Sequence, residues 1–71
     1  MRVLLVEDEA EIREPLAERL RKQGYTVDAA ADGREGLFLG REYGMDLGII
    51  DIGLPELSGI EVIRELRKLD K

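Results

Sequence analysis

The stretch DLGIIDIGLPELSG, residues 46–59, decides the fold of this chain. Its apolar run Leu47–Ile50 stops at a carboxylate, Asp51, and a loop that contains glycine and proline follows. Short apolar runs bounded by turn signals are typical of strands that are buried on both faces. Asp51 is therefore predicted at the carboxyl end of a buried parallel strand, which is the edge where ligands bind in open α/β sheets.

A second apolar run, Arg2–Val6, also stops at carboxylates, Glu7 and Asp8. If the two strands lie side by side and parallel, Glu7, Asp8 and Asp51 converge on one edge of the sheet. Like charges at such a distance are costly unless a cation lies between them or one group takes up a proton. A hard, oxygen-preferring divalent ion such as Mg²⁺ is the natural partner of these carboxylates.

Strands and helices alternate along the chain. We predict strands at 2–6, 25–30 and 47 to 51 or 52, and helices at 10–23, 34–43 and after Ser58. The order β-α-β-α-β-α favours a parallel sheet with right-handed crossovers. The second strand contains Asp28 and is predicted at the edge of the sheet.

Several local signals place the helix ends. Gly24 is predicted to end the first helix in a left-handed conformation, and Pro15 to make that helix start late or bend. Ser58 and Glu61 have the spacing of a capping box at the start of the third helix, whose apolar face contains Ile63, Leu66 and Leu69. Glycines at 36, 40, 44 and 48 recur every four residues, a pattern that we interpret as coincidence rather than as close packing of helix on sheet.

The length, net charge and amino-acid composition exclude several classes of function. Seventy-one residues form at most one domain, and a net charge of −5 argues against direct contact with nucleic acid or an anionic membrane. The chain contains no cysteine and no histidine, so disulfides, thiolate sites and imidazole chemistry are excluded. No apolar run approaches the length of a membrane span, and the first residues predict a strand rather than a signal peptide, which indicates a cytoplasmic protein.

The motifs together resemble those of a known family, the receiver domain of bacterial two-component response regulators. The family's third-strand signature is Asp, two variable residues, Leu-Pro, three further residues and Gly. This chain matches the acidic pair after the first strand and that signature at Glu7, Asp8, Asp51, Leu54, Pro55 and Gly59. The resemblance covers residues 1–71, and Gly53 before Leu54-Pro55 is similar to the OmpR-like class, which carries a DNA-binding output domain.

The resemblance implies a flavodoxin-like α/β fold and a role for each motif residue. The implied architecture is the (βα)3 part of a three-layer receiver, with strand order 2-1-3. Asp51 would be the phosphoacceptor, with a sensor histidine kinase as phosphodonor. Asp8 and Asp51 would ligate Mg²⁺ directly, Glu7 would act mostly through water, and Gly53 would contribute its backbone carbonyl. In the family the first helix helps to dock the kinase, so Arg13 and Leu16 are candidates for that contact.

A full receiver adds a fourth strand ending in Thr or Ser and a fifth ending in Lys, and neither is found in these 71 residues. Each missing contact could cost about 3 kcal/mol in the transition state, so we expect weak Mg²⁺ binding and poor phosphorylation. The third strand would also present an unpaired edge, so we expect the chain to form a homo-oligomer through it.

Other functions are compatible with parts of the pattern. A Mg²⁺-dependent phosphohydrolase usually has a second Asp two residues after the nucleophile, where this chain has Gly53. A dinucleotide-binding module needs a glycine-rich turn after the first strand, where Glu7, Asp8 and Glu9 stand. A receiver fragment or engineered half-domain that only assembles, without phosphotransfer, remains the main alternative. We expect no enzyme activity beyond accepting the phosphoryl group.

Overall fold

Three strands and three helices alternate along the chain. The computed structural model describes residues 1–54 and 57–68. In chain order the elements are β1 (Arg2–Val6), α1 (Ala10–Lys22), β2 (Thr26–Ala30), α2 (Gly33–Tyr43), β3 (Leu47–Ile50) and α3 (Gly59–Arg67). β1 pairs in parallel with β2 on one side and β3 on the other, so the strand order is β2-β1-β3. The predicted α/β fold and the edge position of β2 are confirmed.

The helices cover both faces of the sheet because successive side chains of β1 point to opposite sides. On one face Val3 and Leu5 pack with Ala17 of α1. On the other face Leu4 and Val6 join a cluster that is completed from β2, the loop after β3 and α3 by Ala30, Leu54, Val62 and Leu66. The three layers predicted from the sequence are therefore present, and β1 is the buried centre of the structure.

β3 is less buried than its apolar sequence predicts. Leu47 and Gly48 are exposed, and Ile49 and Ile50 are half-buried. The prediction of burial on both faces is wrong for this part of the chain. The physical reason is that β3 is hydrogen-bonded to a strand on its β1 side only, within residues 1–54 and 57–68.

Side-chain caps and one glycine set the helix ends. Ser58 Oγ accepts a hydrogen bond of 3.2 Å from the Glu61 N–H, and Asp32 Oδ1 accepts one of 2.8 Å from the Glu35 N–H. Gly24 has a φ of +96° after α1, as predicted. Pro15 lies inside α1, which begins at Ala10 and not late. The predicted contributions of Pro55 and Leu69 lie outside the described residues.

Two of the four periodic glycines pack closely. A Cβ on Gly36 would lie 2.5 Å from Cγ2 of Val6, and a Cβ on Gly40 would lie 2.5 Å from Cδ2 of Leu66. α2 therefore approaches the sheet and α3 more closely than any larger residue at these positions would allow. The interpretation of the glycine rhythm as coincidence is wrong for Gly36 and Gly40.

Candidate functional site

The carboxyl ends of β1 and β3 meet at one edge of the sheet, where the acidic residues predicted from the sequence come together. The Asp51 N–H donates a hydrogen bond of 2.9 Å to the Val6 carbonyl, which fixes the position of Asp51 beside β1. One carboxylate oxygen from each of Glu7, Asp8 and Asp51 lies within 4.8 Å of the others. Glu7 and Asp51 are half-buried and Asp8 is exposed.

The loop from β1 to α1 holds Glu7 and Asp8. Glu7 Oε2 accepts a hydrogen bond of 3.1 Å from the Glu9 N–H. Arg13 reaches back from α1, and its Nη1 donates to the carbonyl oxygens of Glu7 at 2.8 Å and of Asp8 at 3.4 Å. The Arg13 side chain is only 16% exposed, and its Nε donates to Glu14 Oε2 at 3.2 Å on the same helix. The sequence carried no signal for this role beyond the placement of a cation one turn into the helix.

The loop after β3 orients the Asp51 carboxylate. The Gly53 N–H donates a hydrogen bond of 3.0 Å to Asp51 Oδ1. Gly53 is exposed, and the next residue, Leu54, is buried in the core below the site. Gly53 thus lies beside Asp51 as the sequence predicts, while the role of its carbonyl as a metal ligand stays a prediction.

Several opposing contributions determine the pKa of Glu7. The hydrogen bond from the Glu9 N–H acts to lower the pKa of Glu7. Partial desolvation, a hydrogen bond shared with Asp8 and the negative charges of Asp51 and Asp8 act in the other direction and outweigh it. The pKa of Glu7 is therefore raised above its ordinary value, as expected where like charges converge.

The donor set fits a hard divalent cation. All three groups offer carboxylate oxygens, which are the ligands that Mg²⁺ and Ca²⁺ prefer. A cation at this position would also offset the negative charges of Asp51 and Asp8, which add to the effect of desolvation in raising the pKa of Glu7. Two carboxylates from one loop and one from the next strand leave space for water or a substrate oxygen, which is typical of Mg²⁺ sites that bind phosphate groups.

A sequence model of the family described as the response regulator receiver domain matches residues 3–71. The chain belongs to this family, whose members are signalling modules.

Relatives over the whole chain bear the names of regulators. The two-component response regulator PhoP of Pseudomonas aeruginosa is 51% identical over 71 residues, which are 100% of this chain and 32% of that protein. The cell cycle transcriptional regulator CtrA of Caulobacter vibrioides is 42% identical over 67 residues, which are 94% of this chain and 29% of that protein. The chain thus spans about a third of the length of these relatives. The name of the first is that of a response regulator, and the name of the second is that of a transcriptional regulator, in agreement with the predicted class.

Solved structures of similar sequence have the same fold. Response regulator TrrA of Thermotoga maritima, in complex with Mg²⁺ and BeF, has a TM-score of 0.88 and 45% identity over 97% of this chain and 60% of that one. A complex of histidine kinase ThkA with TrrA gives a TM-score of 0.85 and 46% identity, and the match covers 99% of this chain and 60% of that one. The predicted flavodoxin-like receiver fold is confirmed.

None of the helices among the described residues is long and apolar enough to span a bilayer.

Proposed function

We propose that this chain is the phosphoacceptor part of a two-component response regulator, with Asp51 as the residue that receives the phosphoryl group. The observation that carries the proposal is the convergence of Glu7, Asp8 and Asp51 within 4.8 Å at the carboxyl edge of the sheet. Membership of the receiver family supports it. The TrrA complex with Mg²⁺ and BeF supports the choice of cation, because a protein of 45% identity and the same fold contains Mg²⁺.

In the proposed reaction an oxygen of the Asp51 carboxylate attacks the phosphorus of a phosphohistidine in line with the bond that breaks. The new O–P bond makes an acyl phosphate, and the N–P bond electrons leave with the histidine nitrogen. Bound Mg²⁺ would offset negative charge on the transferring oxygens. Glu7 and Asp8 would hold the cation, and the Gly53 N–H would keep the Asp51 carboxylate in one orientation.

A sensor histidine kinase is the proposed phosphodonor. The support is the ThkA complex of TrrA, a regulator that shares 46% of aligned residues with this chain. The proposed location of the chain is the cytoplasm. The proposed domain is a partial receiver domain over residues 1–71. The chain would act as a stoichiometric acceptor rather than as an enzyme, and it would influence DNA only through another domain.

The test is phosphorylation by phosphoramidate, a small phosphodonor, with and without Mg²⁺. Intact-mass spectrometry and peptide mapping follow the product. We expect one phosphoryl group on Asp51, formed slowly and only with Mg²⁺, and none on Asp51→Asn. Asp32→Asn, which changes a helix cap away from the acidic cluster, is the matched control and should be labelled like the wild type. Equal labelling of Asp51→Asn, or labelling at another residue, would overturn the proposal.

A second proposal, self-association, is favoured by the outer side of β3. A cavity of about 600 Å³ lies there, and its lining includes Asp46, Gly48, Ile50, Leu66 and Arg67. A second copy is the proposed occupant, with its own β3 pairing antiparallel across a two-fold axis. Asp46 and Arg67 carry opposite charges and line the same cavity. A two-fold axis can therefore place Asp46 of one copy near Arg67 of the other.

Sedimentation velocity across a dilution series tests this second proposal. We expect a dimer that dissociates on dilution and is weakened by Ile50→Lys, whose charge would enter the cavity. Ile60→Lys is the control, because Ile60 is already 53% exposed and does not line this cavity. A folded monomer at all concentrations would contradict self-association and leave the phosphoacceptor proposal untouched.

A further inference from the structure

The backbone of Asp51 and Ile52 lies against Gly59, the first residue of α3. The Gly59 N–H donates a hydrogen bond of 3.3 Å to the Ile52 carbonyl. A Cβ on Gly59 would overlap the carbonyl oxygen of Asp51, and it would lie 2.7 Å from both the Asp51 carbonyl carbon and Ile52 Cα. These neighbours are backbone atoms, so no side-chain rotation can make room for the added carbon.

This contact differs from those of other described glycines in its partner: a Cβ on Gly33 would also meet backbone, but at the Leu57 carbonyl oxygen and not at Asp51. A Cβ on Gly53 would meet only Asp51 Oδ1, at an ordinary contact distance of 3.7 Å. A Cβ on Gly40 would press on the flexible end of Leu66, away from the acidic cluster. Among residues 1–54 and 57–68, Gly59 is the glycine at which an added Cβ would overlap the backbone of Asp51.

The backbone of Asp51 is therefore held on two sides. Its N–H is bonded to Val6 of β1, and its carbonyl group lies against Gly59 of α3. Its carboxylate is oriented by the Gly53 N–H, within the same loop. A larger residue at Gly59 would push the start of α3 and the carbonyl of Asp51 apart. A shift of that carbonyl would change the turn in which the Gly53 N–H donates to the Asp51 carboxylate.

We propose that Gly59 is a positioning residue for the acidic site. Its lack of a side chain lets α3 begin directly against Asp51, which keeps Asp51 and Gly53 in the arrangement that accepts a divalent cation and a phosphoryl group. This inference rests on the proposed function, because it assigns Gly59 a role toward the Mg²⁺ site. Residues that orient ligands without touching the metal commonly change metal affinity by about 10- to 100-fold when mutated.

The experiment compares Gly59→Ala with Gly40→Ala in Mg²⁺ titrations followed by calorimetry. Both changes add one methyl group at a closely packed glycine, but only Gly59 contacts Asp51. We expect the Mg²⁺ dissociation constant to rise about tenfold or more in Gly59→Ala. In Gly40→Ala it should stay close to that of the wild type, whatever the loss of stability. Equal affinity in the two folded variants would overturn the role of Gly59.

A second measurement on the wild-type chain covers the case in which Gly59→Ala does not fold. In ¹H–¹⁵N spectra recorded during a Mg²⁺ titration, the amides of Gly53 and Gly59 should shift together, with one midpoint. Mg²⁺ should also slow hydrogen exchange at Gly59. Shifts at Gly53 with an unchanged Gly59 amide would overturn the inference alone. Absence of any Mg²⁺-dependent shift around Asp51 would overturn the proposed function as well.

Discussion

Arg13 of α1 donates a hydrogen bond of 2.8 Å to the carbonyl oxygen of Glu7, so a cation from the helix holds the acidic loop by its backbone. Removing this hydrogen bond leaves a half-buried carbonyl without its charged donor, a loss that typically costs about 1.5–3 kcal/mol. We expect Arg13→Ala to lower the free energy of unfolding by an amount in this range, measured by urea denaturation.

Arg21→Ala is the matched control for Arg13. Arg21 also lies on α1 and donates to a backbone carbonyl, that of Val27, at 2.9 Å. Both hydrogen bonds are partly buried, but Arg13 makes a second one to the Asp8 carbonyl, so removal of Arg21 should cost less, near the lower end of the same range. Equal losses in the two variants would mean that the Arg13 hydrogen bonds are no more important than the single bond of Arg21.

The raised pKa of Glu7 predicts how stability changes with pH. A carboxyl group whose pKa is higher in the folded chain than in the unfolded chain binds its proton more tightly when folded, so protonation stabilises the fold. The free energy of unfolding should therefore fall as the pH rises from the ordinary Glu pKa through the raised value. Glu7→Gln should remove this loss and be more stable than the wild type at neutral pH, without Mg²⁺.

Two comparisons check the origin of this effect in urea melts recorded at several pH values. The difference between Glu7→Gln and wild type should disappear below the ordinary Glu pKa, and saturating Mg²⁺ should reverse its sign at neutral pH. Glu11→Gln removes an exposed carboxylate from the first turn of α1, where the helix dipole favours negative charge. That control should not be stabilised. A Glu7→Gln variant that is less stable at neutral pH without Mg²⁺ would be inconsistent with the raised pKa.

The sequence predicted the fold where one physical requirement determined the pattern. β1 is apolar at Val3, Leu4, Leu5 and Val6 because both faces are covered, and the carboxylates that follow it had to meet Asp51 at the sheet edge. These features depend on short-range periodicity and on the geometry of parallel strands, both of which can be read from a single sequence.

Features that depend on contacts between distant residues were not predicted. Asp28 interrupts β2 because Arg2 of β1 pairs with it at 2.7 Å, a partnership that needs the strand register. The role of Arg13 as a kinase contact stays a prediction, and its hydrogen bond to the Glu7 carbonyl was not foreseen from the sequence. The close approaches of Gly36, Gly40 and Gly59 also depend on how α2, α3 and the sheet pack in three dimensions.

The contact between Gly36 and Val6 predicts that a methyl group at this position destabilises the fold. Alanine would favour the helix by about 1 kcal/mol over glycine, but its Cβ would lie 2.5 Å from Cγ2 and 3.2 Å from Cγ1 of Val6. Val6 is fully buried and β-branched, so it has little freedom to move. Overpacking of this kind costs about 1–3 kcal/mol.

We therefore expect Gly36→Ala to lower the urea midpoint and Gly40→Ala to lower it less, because the Leu66 tip can rotate away. Gly44→Ala tests a different cause, since Gly44 has open space around it and a φ of +72°. Its loss should come from backbone strain and be about 1–3 kcal/mol, because this φ together with a ψ of −179° is adopted almost only by glycine. An increase in stability for Gly36→Ala would show that α2 can move away from the sheet without cost.

Pro15 predicts a gain in stability when it is replaced. It lies inside α1, which runs from Ala10 to Lys22, and it cannot donate the hydrogen bond that residue 15 of a regular helix gives to the Glu11 carbonyl. Because Pro15 is exposed, the substitution Pro15→Ala removes little packing. Restoring the hydrogen bond should raise the free energy of unfolding by up to about 3 kcal/mol, measured by urea denaturation.

Glu18→Ala is the control for Pro15→Ala. It breaks the exposed pair with Lys22 on the same helix and should change the free energy of unfolding by only about 0.5 kcal/mol. If Pro15→Ala is no more stable than the wild type, the first turns of α1 are determined by the loop that Arg13 holds and not by hydrogen bonding within the helix.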